Sequence, residues 1–195
     1  MNKNRLEAFS DGVIAIIITI MVLELRIPQG ADWKSLINDS TKFFSYVLSF
    51  IYIAIYWNNH HHLLHTVIKV KGSILWANMH LLFWLSLVPV VTGWAGQTHF
   101  AELPVAAYSF VMLMLGMAYF ILTKVIISVH GKDSVLFKAI GKDYKGIISL
   151  LVYIVSFILA FFTPLISVTL IILTAILWLI PDSRIEKKLL DKDKG

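Results

Sequence analysis

Long apolar runs separated by short polar segments make up most of this chain. Each run is close to the ~20 residues that an α-helix needs to cross the hydrocarbon core of a bilayer. The pattern predicts an all-α membrane protein with six transmembrane helices per chain. The six runs are 6–25, 43–64, 73–93, 103–127, 146–163 and 165–181.

Prolines mark the ends and interruptions of these runs. Pro28 ends the first run and Pro181 ends the last. The fifth and sixth runs are short and meet at Thr163-Pro164, which predicts a helical hairpin. Pro89 lies inside the third run, where its missing N–H predicts either a kink or the end of a helix.

The overall composition agrees with a membrane protein. Of the 195 residues, 58% are hydrophobic and only 15% are charged, whereas a soluble domain carries about a quarter charged residues. We therefore expect one six-helix transmembrane domain over 1–181, followed by a short charged cytoplasmic tail over 182–195. The chain has no cysteine, which excludes disulfides and thiol nucleophiles. The first run lacks a small-x-small cleavage site, so we expect a retained helix and not a cleavable signal peptide.

Basic residues concentrate in alternate loops. Fourteen of the 17 lie at the N-terminus, after the second run, in the last turn of the fourth run or after it, or in the tail. Only Arg26, Lys34 and Lys42 lie in the remaining loops. The positive-inside rule then predicts a multi-pass protein of the cell membrane with both termini in the cytoplasm. This distribution also accounts for the net charge of +5 without a nucleic-acid partner.

The first run begins with a hydroxyl and a carboxylate, Ser10 and Asp11. An ionisable group there is costly unless it has a partner or a water-filled path. At 100° per residue, Asp11 points nearly opposite to one mostly aliphatic stripe, and so into the surrounding protein. Copies of this helix around an axis would present apolar rings that exclude water, although spacing alone favours simple packing against protein or lipid. The stripe consists of Gly12, Ile16, Thr19, Ile20 and Leu23.

Two kinds of partner for Asp11 can be drawn from the sequence. Arg5, one or two turns away, is the obvious charge partner. The alternative is that Ser10 or Asp11 caps a preceding turn, in which case Arg5 lies among the lipid headgroups. In the third run, Asn78 or His80 is expected to bond to Asp11, unless both bond within their own helix.

The opening Arg-x-x-x-Phe-Ser-Asp, formed by Arg5, Phe9, Ser10 and Asp11, resembles the first-helix motif of the transmembrane-protein-175 potassium channels. The resemblance covers the six-helix length of the chain, and it implies that the motif ties the first helix to its neighbours through polar contacts. Further similarities to prokaryotic members are Gly12-Val13-x-Ala15-Ile16-x-x-Thr19, Trp57-x-x-His60-His61, Asn78 and Pro89.

This resemblance implies a homotetramer whose first helices line a central pore permeable to potassium. It implies that Ile16 forms the narrowest hydrophobic constriction, that Ile20 and Leu23 add further apolar layers, and that Thr19 contributes to selectivity. The helical wheel independently selects the same aliphatic stripe of the first run. The wheel and the resemblance together favour a pore over simple packing. The chain lacks a Thr-Val-Gly-Tyr-Gly loop, so we expect weaker selectivity than that of carbonyl-filter channels. The expected partners are potassium ions, membrane lipid and further copies of the chain, without a cofactor.

The histidines offer a second hypothesis, that of a membrane enzyme. His61 and His65 have the i,i+4 spacing that can hold zinc on one helical face. A di-iron hydroxylase would need several histidine boxes, however, and the other histidines outside 60–65 stand singly. We therefore expect no metal site and no catalytic residues. The cluster is instead interpreted as imidazoles at a membrane interface, or as groups that sense pH.

A third hypothesis is a secondary transporter in which Asp11 carries a proton or a cation. Such a protein would use internal repeats or helices broken at mid-membrane, which this sequence does not show. At the far end of the first run, a ring of Glu24 would attract cations to a pore mouth, unless Glu24 simply pairs with Arg26.

Overall fold

The computed structural model describes residues 2–25, 27–28, 30–140 and 143–179, and within these ranges it contains α-helices and no β-strand. The prediction of an all-helical protein is confirmed. Arg26 and the predicted tail over 182–195 lie outside the described residues. The helices are α1 (Lys3–Leu23), α2 (Trp33–Asn38), α3 (Ser40–His65), α4 (Gly72–Ser86), α5 (Val88–Gln97), α6 (Glu102–His130), α7 (Val135–Ile140), α8 (Tyr144–Leu159) and α9 (Pro164–Leu179).

Among the described residues, three helical units are long and apolar enough to cross a bilayer: α1, the pair α4–α5 and α6. α3 has 26 residues but ends in a polar stretch of asparagine and histidine. α8 and α9 are apolar and have 16 residues each. The short helices α2 and α7, of six residues each, lie in connections where the hydrophobic pattern predicted none. A multi-pass membrane protein is thus supported, and the number of six spans stays a prediction.

The third apolar run is interrupted as Pro89 predicts. Leu87 separates α4 from α5, because Pro89 has no N–H to donate to the carbonyl group four residues earlier. Around the interruption, the Leu87 N–H donates to the Trp84 carbonyl oxygen at 3.2 Å, and the Val91 N–H donates to the Leu87 carbonyl oxygen at 3.3 Å. The two helices therefore follow one another with a single irregular residue between them.

The hairpin predicted from Thr163-Pro164 is formed by α8 and α9, which pack against each other. The Thr163 N–H donates to the carbonyl oxygen of Leu159, the last residue of α8, at 2.7 Å. Pro164 then begins α9, a position where its fixed φ suits a helix and its missing N–H costs no hydrogen bond.

Three serines connect this hairpin to α6. The hydroxyl oxygens of Ser156 and Ser167 are 2.8 Å apart, and the Ser109 hydroxyl oxygen lies 3.1 Å from each of them. All three side chains are completely buried. Small polar residues of this kind let apolar helices approach closely, and they satisfy one another where no water is present.

α6 lies at the centre of the bundle, and α1 lies at its side. α6 packs against α4, α5, α8 and α9, whereas α1 packs against α3, α4 and α5. Only one face of α1 is therefore covered by its own chain. The residues buried on that face are Leu6, Ser10, Ile14, Ile17 and Met21.

α5 lies close against α3 at Gly96. A Cβ atom added there would collide with the Ser45 hydroxyl oxygen and would lie 2.9 Å from the backbone Cα of Lys42. One turn earlier on α5, a Cβ added at Gly93 would meet its nearest neighbour, the Glu24 carboxylate, at an ordinary 3.6 Å. The two glycines therefore differ in how much room they have.

Gly96→Ala is expected to lower the thermal stability of the purified protein, because the backbone of α3 must move to admit the methyl group. Overpacking of this kind typically costs about 1–3 kcal/mol. Gly93→Ala is the matched control and should leave the melting temperature nearly unchanged. Equal melting temperatures for the two variants in detergent would contradict the close approach.

Candidate functional site

The face of α1 that its own chain leaves uncovered carries the predicted aliphatic stripe. Ile16 is 60% exposed, Ile20 is 45% exposed and Leu23 is 75% exposed. Gly12 and Thr19, the other two members of the stripe, are also exposed. An exposed, largely apolar surface of this kind marks a site of contact with a partner or with membrane. The stripe therefore faces lipid, other copies of the chain, or an axis between copies.

Thr19 is the single hydroxyl-bearing residue of this stripe. Its Oγ1 donates a hydrogen bond to the carbonyl oxygen of Ala15 at 2.9 Å. The hydroxyl proton is thus used within the helix, and the oxygen retains lone pairs that can accept from, or coordinate, a partner outside the subunit. An exposed oxygen among aliphatic side chains can interact with a cation in a way that isoleucine cannot.

A buried chain of hydrogen bonds fastens the opposite face of α1 to α3 and α4. The Asn78 amide nitrogen donates to the Ser10 hydroxyl oxygen at 2.9 Å, and this hydroxyl donates to the Leu6 carbonyl oxygen, also at 2.9 Å. The other end of the Asn78 amide, its Oδ1, lies 2.6 Å from His60 Nε2. Ser10 and Asn78 are completely buried and His60 nearly so.

The direction of the His60 bond follows from the others in the chain. Because the Asn78 amide nitrogen is directed at Ser10, its Oδ1 faces His60 and can only accept. The imidazole therefore carries a proton on Nε2 and donates it to Asn78. Each polar group of this buried chain has a partner, as membrane-buried groups require.

Asp11 bonds to a partner that the sequence did not suggest. The Trp57 indole nitrogen of α3 donates to Asp11 Oδ1 at 2.9 Å. The expected partners behave differently, since Asn78 bonds to Ser10 and the His80 Nε2 atom accepts from the Trp84 indole at 2.9 Å within α4. Apart from this contact with α3, Asp11 is exposed in the single subunit.

The reason lies in helix geometry. Ser10 and Asp11 are consecutive and therefore point about 100° apart on α1. Ser10 reaches α4, whereas Asp11 lies towards the edge of α3. On α3, Trp57 and His60 are three residues apart and share one face. That face consequently contacts both polar residues of the motif. Trp57 binds Asp11 directly, and His60 is connected to Ser10 through Asn78.

Arg5 and Phe9, the remaining residues of the motif, lie on the exposed side of α1. Over the described part of the chain, the ion pairs within 4.0 Å do not include Arg5. The expected pair between Arg5 and Asp11 is thus not formed within one subunit. The Lys3 ammonium instead lies 3.8 Å from the Glu7 carboxylate on the same helix.

The histidine cluster lies beside this site at the C-terminal end of α3. The His61 ring centroid is 4.5 Å from that of His65 and 6.0 Å from that of Trp57. Within the residues that the structure describes, no three histidine or carboxylate side chains converge in a way that could hold a metal ion. The rings therefore pack on one another and on the tryptophan that binds Asp11.

Sequence reasoning missed the roles of Trp57 and His60, although both stood in the similarity that it noted. An indole N–H and an imidazole three residues apart, inside an otherwise apolar run, are the signal that could have found them. Such groups need polar partners on a neighbouring helix. Asp11 and Asn78 are an acid and an amide inside the first and third apolar runs, and they are the groups that meet Trp57 and His60.

Comparison with known proteins relates the chain to a group of channels. The profile of the family described as endosomal/lysosomal potassium channel TMEM175 matches residues 5–89, which contain α1 from its third residue onward and the polar contacts of Ser10 and Asp11. A potassium channel of Chryseobacterium sp. (strain P1-3) is 56% identical over 189 residues, which cover 97% of this chain and 98% of that protein. A potassium channel of Streptomyces collinus is 33% identical over 128 residues, covering 61% of this chain and 62% of that protein.

A solved structure has the same fold. It is the crystal structure of a protein described as a lysosomal potassium-selective channel TMEM175 homolog from Chamaesiphon minutus. It matches with a TM-score of 0.80 and 26% sequence identity, and the match covers 92% of this chain and 97% of that chain. The similarity therefore extends well beyond the segment that carries the first-helix motif.

Asn78→Leu is expected to destabilise the protein, because it leaves the Ser10 hydroxyl and the His60 imidazole buried without their partner. Leaving a buried polar group unsatisfied costs about 1–3 kcal/mol. Asn38→Leu, which removes an exposed amide at the end of α2, is the matched control. Thermal unfolding in detergent should separate the two variants, and an Asn78→Leu protein as stable as Asn38→Leu would show that the buried chain does not hold α1.

Proposed function

Because this chain belongs to the TMEM175 family of potassium channels, we propose that it is a potassium-permeable cation channel that conducts passively through a central pore. The observation that carries the proposal is the exposed stripe of α1, opposite a face that is fastened to the same subunit by buried hydrogen bonds. A channel family, and not an enzyme family, is what the chain resembles over almost its whole length.

The proposed assembly is a homotetramer in which four copies of α1 surround the axis. Each subunit crosses the membrane six times, with α1, α3, α4–α5, α6, α8 and α9 as the spans and both termini in the cytoplasm. The 16-residue helices α8 and α9 are about 24 Å long. They therefore fall short of the ~30 Å hydrocarbon core, and a slightly thinned bilayer around their hairpin would accommodate them.

The ion pathway in this proposal is narrow and mostly dry. Ile16 forms the constriction, and Ile20 and Leu23 continue the apolar section one and two turns further along. Rings of aliphatic side chains gate by excluding water when they are narrow enough. Widening such a ring, or making it polar, admits water and with it ions.

Selectivity is assigned to Thr19 and to partial loss of the ion's hydration shell. Thr19 lies between the apolar layers, and its oxygen has lone pairs beyond the bond to Ala15. Shedding water in a narrow ring costs less free energy for an ion that is weakly hydrated. Potassium is more weakly hydrated than sodium, so the ring favours potassium. Four hydroxyl groups replace a hydration shell less completely than a filter of backbone carbonyls does, so the preference should be modest.

The polar motif sets the rotation of the pore helix. Ser10 and Asp11 fix α1 against α4 and α3 respectively, which supports an axial direction for the stripe. Arg5 and Phe9 are exposed on the subunit and are therefore available to a neighbouring copy in the tetramer.

Ion flux from reconstituted vesicles tests the function and the role of Thr19 together. Wild-type vesicles should pass potassium faster than sodium, with single-channel currents that no alternating-access transporter can reach. Thr19→Val should reduce the potassium-to-sodium ratio by roughly two-fold or more without abolishing current, because it keeps the shape and removes the oxygen. Thr19→Ser retains the hydroxyl and should retain the preference. Transport without resolvable unitary currents would instead indicate a secondary transporter.

Ile16→Asn is expected to raise the basal conductance several-fold, since four amides would wet the narrow ring. Ile16→Val keeps the ring aliphatic and should remain near the wild-type current. Val22→Asn adds the same amide on the exposed surface of α1 outside the stripe and controls for a polar group in this helix. Currents from Ile16→Asn that match those from Val22→Asn would count against a constriction at Ile16.

A further inference from the structure

The connection between α3 and α4 is held in place by a histidine of another helix. His130 is the last residue of α6, and its Nε2 atom accepts hydrogen bonds from the backbone N–H groups of Ile68 and Lys69, at 3.1 Å each. The other ring nitrogen, Nδ1, lies 2.9 Å from the carbonyl oxygen of Ile126, one turn earlier in α6. One imidazole therefore joins two segments that are far apart along the chain.

These three contacts fix the protonation state of the His130 ring. A carbonyl oxygen can only accept, so Nδ1 carries a proton and donates it to Ile126. Backbone N–H groups can only donate, so Nε2 carries no proton and accepts from both of them. The contact with the connection thus exists only for the neutral ring. A second proton, on Nε2, would place an N–H group opposite two N–H groups, and both hydrogen bonds would be lost.

The two backbone groups that His130 binds lie just beyond the end of α3. The preceding residues, Thr66 and Val67, use their own N–H groups to close the last turn of that helix. The N–H groups of Ile68 and Lys69 are directed at His130 instead. Both of these residues are exposed, so water can replace the imidazole as their partner when the ring becomes charged.

The charged groups around His130 offer no substitute contact for a protonated ring. Over the described part of the chain, the ion pairs within 4.0 Å do not include His130. The nearby acids have other partners, since Glu7 and Asp133 lie 3.8 Å and 3.9 Å from lysine ammonium groups, and Asp143 caps α8. The described segments around the ring also carry basic side chains, namely His65, Lys69, Lys71, Lys132, Lys138 and Lys145.

The connection held by His130 also bears the N-terminal end of α1. The Lys3 ammonium donates a hydrogen bond to the carbonyl oxygen of His65, the last residue of α3, at 2.9 Å. His65 directly precedes the connection over 66–71. By the orientation proposed above, this end of the subunit faces the cytoplasm. The cytoplasmic end of α1 is therefore fastened to a segment that His130 holds against α6.

We propose that His130 is a pH-sensitive latch, whose neutral ring holds the α3–α4 connection on α6 and whose protonated ring releases it. The proton comes from water at this end of the subunit and binds Nε2, while Nδ1 keeps its bond to Ile126. Histidine changes charge between pH 5 and pH 8, so the latch is closed at the upper limit and open at the lower. The release does not depend on whether the protein conducts ions.

Hydrogen–deuterium exchange of the full-length protein in detergent, at pH 8 and pH 5, tests the latch. After correction for the intrinsic effect of pH on exchange, protection of the amides in 66–71 should fall roughly ten-fold at pH 5, as expected for the loss of two hydrogen bonds. His130→Ala removes the acceptor and should show the low protection at both pH values. His130→Gln supplies an amide oxygen that does not titrate, and it should keep the protection at both.

The double substitution of His62→Gln and His65→Gln is the matched control. It removes two other imidazoles near the end of α3, and it leaves the backbone contacts of the connection in place. Its amides in 66–71 should lose protection at pH 5 as those of the wild type do. Protection that no longer depends on pH in this control would assign the effect to the α3 histidines and would overturn the proposal.

Nitrogen-15 NMR of protein labelled at histidine reports the protonation of the ring directly. The signals that disappear in His130→Gln belong to His130. At pH 8 they should show a proton on Nδ1 and none on Nε2, and at pH 5 a proton on both. This measurement decides the outcome even if His130→Ala does not fold.

Three further results would contradict the latch. One is a proton on Nε2 of His130 at pH 8, which is incompatible with hydrogen bonds from Ile68 and Lys69. The second is equal protection of 66–71 in the wild-type protein at pH 8 and pH 5. The third is a loss of protection at pH 5 that persists unchanged in His130→Gln, because the proton responsible would then bind elsewhere.

Discussion

The hydrogen bonds between Ser10, Asn78 and His60 set the rotation of α1, and the candidate function depends on that rotation. In an apolar bundle, aliphatic side chains can exchange neighbours at little cost, so they define the rotation of a helix poorly. A buried hydroxyl, amide and imidazole that must meet one another define it well, because any other angle leaves them unsatisfied. The stripe of Ile16, Ile20 and Leu23 is exposed because the other side of the helix is held in this way.

The same device recurs elsewhere in the bundle. The Ser49 hydroxyl lies 2.6 Å from that of Thr92 and 2.8 Å from that of Tyr108, which connects α3, α5 and α6. The Tyr52 hydroxyl donates to the Ile171 carbonyl oxygen of α9 at 2.5 Å. Within a membrane the hydrophobic effect does not distinguish one apolar neighbour from another, so these directional contacts and close packing at small residues determine which helices meet.

Much of the architecture could be predicted from the sequence, because long apolar runs and prolines act locally. The helical segments, the interruption near Pro89 and the hairpin at Thr163-Pro164 all follow from such local rules. Family membership followed from the Arg-x-x-x-Phe-Ser-Asp opening. The helices α2 and α7 were missed, since six residues between spans leave no hydrophobic period to detect.

The partners of the motif were harder to predict, because they depend on how separate helices are placed. The choice of Trp57 for Asp11, and of Asn78 for Ser10, is decided by the relative rotation of α1, α3 and α4, which periodicity within one helix does not contain. For the same reason Arg5 was assigned to Asp11 on proximity along the chain alone. The tetramer and the constriction concern contacts between copies, and they stay predictions.

The anchored side of α1 also has a consequence for the length of this helix. Ser10 and Ile16 are six positions apart, and at 100° per residue this separation fixes the angle between anchor and stripe. Inserting or deleting one residue between them would turn the stripe away by more than a quarter of a circle, although every side chain would be kept. Length changes before Arg5 or after Leu23 would have no such effect. The spacing within this stretch is therefore constrained as strongly as the identity of the residues.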